Sequence, residues 1–234
     1  MITLIGVGHV FAISDNVKSI ICKRRPQVVC LELDSARFHA LVHKERSGNV
    51  PIQYRLLAMF QDRLAGKFGT EVGGEMLAAA SAAQEVGAKL ALIDMDASMV
   101  FSRLWKQMTL KEKVHLLGGA LVGLFVSKQT VEHELDKYEN NAESYIESMG
   151  DSFPAIKAVL IDDRNGFMAN RLVSLTAEHA NIVAVVGDGH VPGILQRLSG
   201  IEVETVRLKD LRASSPATSD GASASATFYY RQEP

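Results

Sequence analysis

Four short apolar runs, separated by helix-prone sequence, constrain this chain more than any other feature. Thr3 to Val7, Gln27 to Leu33, Lys89 to Asp94 and Asn181 to Val186 are rich in β-formers and largely apolar. A continuous apolar run of strand length suits a strand covered on both faces, whereas a half-exposed strand alternates. Between the first two runs, Ile13, Val17, Ile20 and Ile21 recur at helical spacing. Ser14-Asp15-Asn16 is placed to cap that helix, and Pro26 stops it. Residues 71–86 are Ala-rich and helix-prone, and Gly87 suits the position after their end. A further helix beginning near Pro154, a residue suited to a first turn, leads into the last run. The alternation predicts an α/β fold, a mostly parallel sheet flanked by helices and joined by right-handed crossovers.

Strand signals vanish from Met99 to Gly150, and Thr109-Leu110-Lys111-Glu112 has the form of a capping box. Residues 99–150 therefore read as a helical insertion, apolar at Leu116, Leu117, Leu121, Leu124 and Phe125 and charged from Glu132 to Glu147. Helix packing is the simpler reading of the apolar part, and a membrane or partner surface the other. From Arg212 the composition collapses to Ser, Ala, Thr, Gly and Pro, which buries too little to offset chain entropy. The expected organisation is one domain over 1–211 and a disordered tail over 212–234.

With 25 Lys plus Arg against 27 Asp plus Glu, the chain has no basic run suited to phosphates, which excludes nucleic acid as a default partner. Leu116 to Val126, the longest apolar stretch, is about half of the ~20 residues a spanning helix needs. The start, Met1-Ile2-Thr3-Leu4-Ile5-Gly6, lacks a basic leader, so a cytoplasmic location is expected. Cys22 and Cys30 form no Cys-x-x-Cys pair and read as free thiols of a reducing compartment.

In open parallel sheets, ligands bind beyond the carboxyl ends of the strands. The runs deliver His9 to that end from the first strand, Glu32 and Asp34 from the second, Asp94 and Asp96 from the third, and Asp188 and His190 from the last. The string Gly-x-Gly-His-Val occurs twice, at 6–10 and 187–191, near opposite ends of the chain. Two imidazoles and a carboxylate make a suitable set for a divalent cation, which acidifies water and polarises a carbonyl or phosphoryl oxygen. Glycines at 6, 8, 187 and 189 suit sharp turns and close approach of a substrate to the backbone. A blander reading exists for each residue taken singly: a strand-end His is often a hydrogen-bonding structural group, and a following acid often caps the next helix. The repeat favours a functional pair.

No His-Glu-x-x-His, Gly-x-Ser-x-Gly or Walker loop is present, which excludes a zincin helix, a serine-hydrolase elbow and a P-loop. Gly6-Val7-Gly8 after a strand hints at a dinucleotide fold, but the third glycine expected there is Phe11.

With Gly6-Val7-Gly8-His9-Val10, Val29-Cys30-Leu31-Glu32-Leu33-Asp34 with Arg37, Gly74-Glu75-Met76-Leu77-Ala78-Ala79, Leu160-Ile161-Asp162-Asp163-Arg164 and Val185 to Ile194 in this order, the sequence resembles the TraB family. That group includes the pheromone-shutdown proteins and the Tiki proteases, and the resemblance runs from residue 1 to about 210. It implies paired Gly-x-x-His motifs with acidic residues between them, and in the Tiki branch metal-dependent peptidase activity with manganese or cobalt. Carried over, His9, His190 and Glu32 would hold a divalent metal, Mn or Co first and Zn also compatible. Glu75 would act as general base, and Arg37 or Arg164 would stabilise an oxyanion or orient carboxylates, with Asp163 beside them. The chain departs from the pattern where relatives commonly read Asp-Glu-Arg-Asp, since it has Asp162-Asp163-Arg164-Asn165, and Met95 stands where an arginine is usual.

The resulting expectation is a metal-dependent hydrolase of the peptidase type acting on a peptide or small-molecule substrate. The alternative is a non-catalytic module that binds a peptide, a metal or haem in the same cleft. Peripheral membrane contact and a homo-oligomer remain open.

Overall fold

The computed structural model describes residues 1–8, 13–43, 73–114 and 153–213. Its centre is a five-stranded parallel sheet: β1 (Ile2–Val7), β2 (Val28–Leu31), β3 (Lys89–Leu92), β4 (Ile182–Gly187) and β5 (Val203–Val206), in the order β3-β2-β4-β1-β5. The four apolar runs are the first four strands, with boundaries shifted by one or two residues at several ends. The α/β architecture is as expected.

The helices are α1 (Ser14–Arg24), α2 (Ser35–His43), α3 (Gly74–Val86), α4 (Ala97–Gln107), α5 (Pro154–Ile156), α6 (Arg164–Thr176), α7 (Val191–Arg197) and α8 (Leu208–Ala213), with a π-helical stretch, Lys157–Asp163, joining α5 to α6. Alternate strand residues face opposite layers, as the pleat requires. Ile5, Val7, Val29, Leu31, Val183 and Val185 pack with α1, α2, α3 and α8 on one side. On the other, Ile2, Leu4, Val28, Cys30, Ala184 and Val186 pack with α6 and α7. Strands buried on both faces have no need to alternate in polarity, which is why they stood out as unbroken apolar runs.

Several local expectations hold. Gly87 closes α3 at φ 71° and Pro154 opens α5. The capping box forms reciprocally: the Glu112 carboxylate accepts from the Thr109 amide at 2.7 Å, and Thr109 Oγ1 accepts from the Glu112 amide at 3.2 Å. Others are corrected. Ser14-Asp15-Asn16 does not cap α1; Ile13 is its N-cap with no side-chain bond, and Asn16 reaches instead to the Leu211 carbonyl. None of Gly6, Gly8, Gly187 and Gly189 has a left-handed φ; among the described residues Gly73, Gly87 and Gly200 do, and so does Arg25 after α1. The bulk of the insertion, 115–150, and the tail from 214 lie outside the described residues. Among the described residues no helix is long and apolar enough to cross a membrane.

The strand order creates the site. Chain leaving β1 and β2 passes to the α1/α2 layer, while chain leaving β4 passes to the α7 layer. Since β4 lies between β1 and β2, its carboxyl end is flanked by connections departing to the opposite face. Such a reversal opens the crevice in which open α/β sheets bind ligands.

Candidate functional site

Glu32 follows β2, His190 follows β4, and these strands are neighbours in register, Leu31 beside Val185. The two side chains meet in that crevice, with His190 Nε2 3.3 Å from Glu32 Oε1 and both residues buried. Glu32 Oε2 accepts from the Gly187 amide at 2.6 Å. On its other side, His190 Nδ1 lies 2.7 Å from Asn165 Oδ1. An amide oxygen only accepts, so this contact places a proton on Nδ1; in the neutral ring that turns the Nε2 lone pair toward Glu32, whereas in the imidazolium Nε2–H donates to it. Two lone pairs facing each other repel unless a proton or a cation stands between them.

Two arginines hold the carboxylates. Arg164 donates through Nε and Nη2 to Asp94 at 3.0 and 2.6 Å, through Nη2 also to Glu32, and through Nη1 to the Leu160 carbonyl at 3.2 Å. Arg37 bonds Asp34 through Nε at 2.7 Å and Asp94 through Nη2 at 2.6 Å. The Asp94 side chain, fully buried, is therefore shared between two guanidinia and also accepts from the Met95 amide. Planar forked donors suit this bridging, and a lysine could not reproduce it.

Burial alone would raise the Glu32 carboxyl, but His190, Arg164 and the Gly187 amide outweigh it and hold the group well below the usual carboxylate range. Burial would likewise lower the arginines, and is outweighed at Arg164 by Glu32 and Asp94 and at Arg37 by Asp94 and Asp34. Among the described residues, Glu32, Asp34 and Asp94 pair with these two guanidinia, which leaves one negative charge over in that set when His190 is neutral.

The π-helical stretch ends at the residue before Arg164. Its wider winding is spanned by an i,i+5 ion pair, Lys157 to Asp162 at 2.9 Å, and such stretches concentrate at functional sites. Two successive residues beyond it serve different partners, Arg164 the Glu32/Asp94 carboxylates and Asn165 the His190 ring.

The sequence-derived site residues are thus distributed unevenly. Glu32, His190, Arg164 and Arg37 belong to one connected network. Glu75 is buried in the first turn of α3, a helix that runs back into β3 and so starts at the carboxyl ends of the strands. Asp163 is exposed and stands 3.5 Å from Arg103, apart from the network. His9 lies outside the described residues. Asp188 accepts both Arg207 donors, at 2.8 and 2.7 Å, and the Leu208 amide, tying the start of α8 to the end of β4. Gly6 is small for that reason, since a Cβ there would stand 2.2 Å from Asp188 Oδ1. Asp96 caps α4 through the Ser98 and Met99 amides, the blander of its two readings. The bridging role of Asp94 and the contact of Asn165 with His190 were missed; an arginine on each of the two helices nearest these positions was the available signal.

Among the described residues no group of three His, Cys, Asp or Glu is arranged to hold a metal. Glu32 and His190 Nε2 supply two donors of suitable kind, one anionic oxygen and one neutral imidazole nitrogen, and a third must come from elsewhere.

The model of the TraB/PrgY/gumN family matches residues 1–205. An uncharacterized protein of Methanocaldococcus jannaschii is 34% identical over 214 residues, covering 86% of this chain and 54% of its own length, so the chain spans about half of that relative. Among solved structures, ChaN of Campylobacter jejuni, described for cofacial haem binding, aligns at 15% identity with a TM-score of 0.41, over 88% of this chain and 80% of that one. The family match takes in β1 to β4 and reaches into β5, with Glu32, Arg37, Glu75, Arg164 and His190 inside it, and the chain belongs to the TraB/PrgY/gumN family.

Proposed function

We propose that this chain is a metal-dependent hydrolase of the peptidase type, with Glu32, His190 and His9 holding a divalent ion, Mn or Co ahead of Zn. The observation that carries the reading is the Glu32–His190 pair: a carboxylate oxygen and an imidazole Nε2 3.3 Å apart, with the other ring nitrogen occupied by Asn165. The surplus negative charge of the network favours a cation over a proton-neutral site, and family membership supports the same choice.

A divalent ion held there supplies a Lewis acid that acidifies water and polarises an amide carbonyl. The chain's own residues orient and shield. Arg164 and the Gly187 amide hold both oxygens of Glu32, Asn165 orients His190, and Asp94 holds Arg164 in place. Glu75 is the proposed general base, carried to the same end of the sheet by the first turn of α3. Arg37, whose side chain is 37% exposed, is the guanidinium that a substrate carbonyl or carboxylate can reach, since Arg164 is 15% exposed and bonded through Nε and both Nη atoms.

The test is Mn²⁺ or Co²⁺ titration of the full chain by calorimetry, alongside hydrolysis of a peptide library with each metal and with EDTA. The reading requires metal-dependent cleavage, and metal binding lost in Glu32→Gln and His190→Ala. Peptide or haem binding without cleavage would replace it with the binding-module reading, and equal metal content in wild type and both variants would remove the site.

A further inference from the structure

A neutral histidine exists as two tautomers, and only one of them leaves Nε2 able to bind a cation. In the other, Nε2–H would donate to Glu32 Oε1 at the observed 3.3 Å and close the pair on itself. Which form prevails depends on what faces Nδ1. In this chain it is Asn165 Oδ1 at 2.7 Å, on a residue 2% exposed and so without freedom to turn away.

The packing around Asn165 is equally restrictive. A Cβ on Gly193 would stand 2.1 Å from Asn165 Nδ2 and 2.9 Å from its Cγ, so the amide lies directly against the bare Cα of α7. The Gly193 carbonyl is held by Arg197 Nη1 at 2.8 Å. Helix α7 therefore carries both the histidine, at its N-cap, and the glycine that makes room for the amide orienting it. We infer that Asn165, seated against Gly193, is a positioning residue that holds His190 in the Nδ1–H tautomer and keeps Nε2 open as a ligand toward Glu32. An amide at this position, in place of a carboxylate, performs that task without adding a further negative charge to a network that already carries an excess. Partners of this kind orient metal-binding histidines, and their loss typically weakens metal affinity roughly 10- to 100-fold.

The inference rests on the proposed role of His190 as a ligand, and its test reads the ring directly. Full-length protein labelled with ¹⁵N-histidine, in alkaline buffer without added metal, is examined by two-bond ¹H–¹⁵N correlation, with His190→Gln assigning the signal. Wild type is expected to show a protonated Nδ1 and a bare Nε2. Asn165→Leu and Gly193→Ala are each expected to shift the ring toward Nε2–H, and Asn165→Asp, which keeps an acceptor, to retain Nδ1–H. The two shifting variants are also expected to lose 10- to 100-fold in Mn²⁺ affinity. Nε2–H in wild type, or an Nδ1–H tautomer unchanged in both Asn165→Leu and Gly193→Ala, would overturn the inference. The two readings separate cleanly. An Nδ1–H tautomer that responds to these variants in a protein that binds no Mn²⁺ would sink the hydrolase reading alone. Mn²⁺ binding with an unresponsive tautomer would sink this inference alone.

Discussion

Replacing Arg164 with leucine tests the electrostatic core of the site. The side chain is 15% exposed and bridges Glu32, at 7%, to Asp94, at 0%. Leucine occupies comparable apolar volume but leaves two buried carboxylates without their shared counter-ion. Removing one member of a buried pair costs about 3–5 kcal/mol, because the remaining charge stays desolvated. Asp94 keeps Arg37 and the Met95 amide, and Glu32 keeps His190 and Gly187, so the lower end, about 3 kcal/mol, is expected. Against a typical total of 5–15 kcal/mol that is a large loss. With a urea slope near 3 kcal/mol/M, the unfolding midpoint followed by circular dichroism should fall by about 1 M. The deficit should also depend on pH with a definite sign. The folded Glu32 is held below its unfolded value, so its contribution is present above the unfolded pKa and is lost as pH falls through the folded one. Without Arg164 the folded carboxyl rises, so the variant gives up this contribution earlier on acidification. The gap between variant and wild type should therefore be widest near neutrality and narrow as both proteins approach full protonation of the site. A midpoint shift below about 0.3 M, or a gap that is constant from neutral to strongly acidic pH, would refute the network as drawn.

Two further outcomes follow from packing and burial. Gly6→Ala sets a methyl 2.2 Å from Asp188 Oδ1, so it should displace Asp188 from Arg207 and Leu208 and cost about 1–3 kcal/mol, read as a lower thermal midpoint. The Cys30 thiol, fully buried in β2, is pushed up to about 12 by burial, with Arg171 opposing weakly; it should resist a disulfide reagent until urea unfolds the chain, whereas the half-buried Cys22 reacts in the native state.

Much of the fold was legible because strands buried on both faces announce themselves as apolar runs. The fifth was not: Val203–Val206 is an edge strand of four residues, half-buried, with Glu204 paired to Arg24 at the surface, so it carries no such run. The cap of α1 was misread because Ser14 has a capping side chain but the neighbouring buried Ile13 takes the cap position, and packing of Ile13 outweighs one hydrogen bond. Glu32 and His190 were legible as strand-end residues. Their contact was not, since it depends on β4 inserting between β2 and β1, a matter of strand order that local sequence does not encode. Asn165 read as a departure from the common carboxylate, and only the fold shows that its partner is the ring of His190, across the packing of α6 on α7.

The central claim is that Glu32 and His190 Nε2 bind one divalent ion. Anomalous diffraction from crystals of the full chain grown with Mn²⁺ tests it most directly. The account predicts a single peak that the Glu32 carboxylate and His190 Nε2 both face, with His190 Nδ1 still on Asn165. A manganese-saturated crystal with no peak there, and Glu32 still in direct contact with His190, would contradict it.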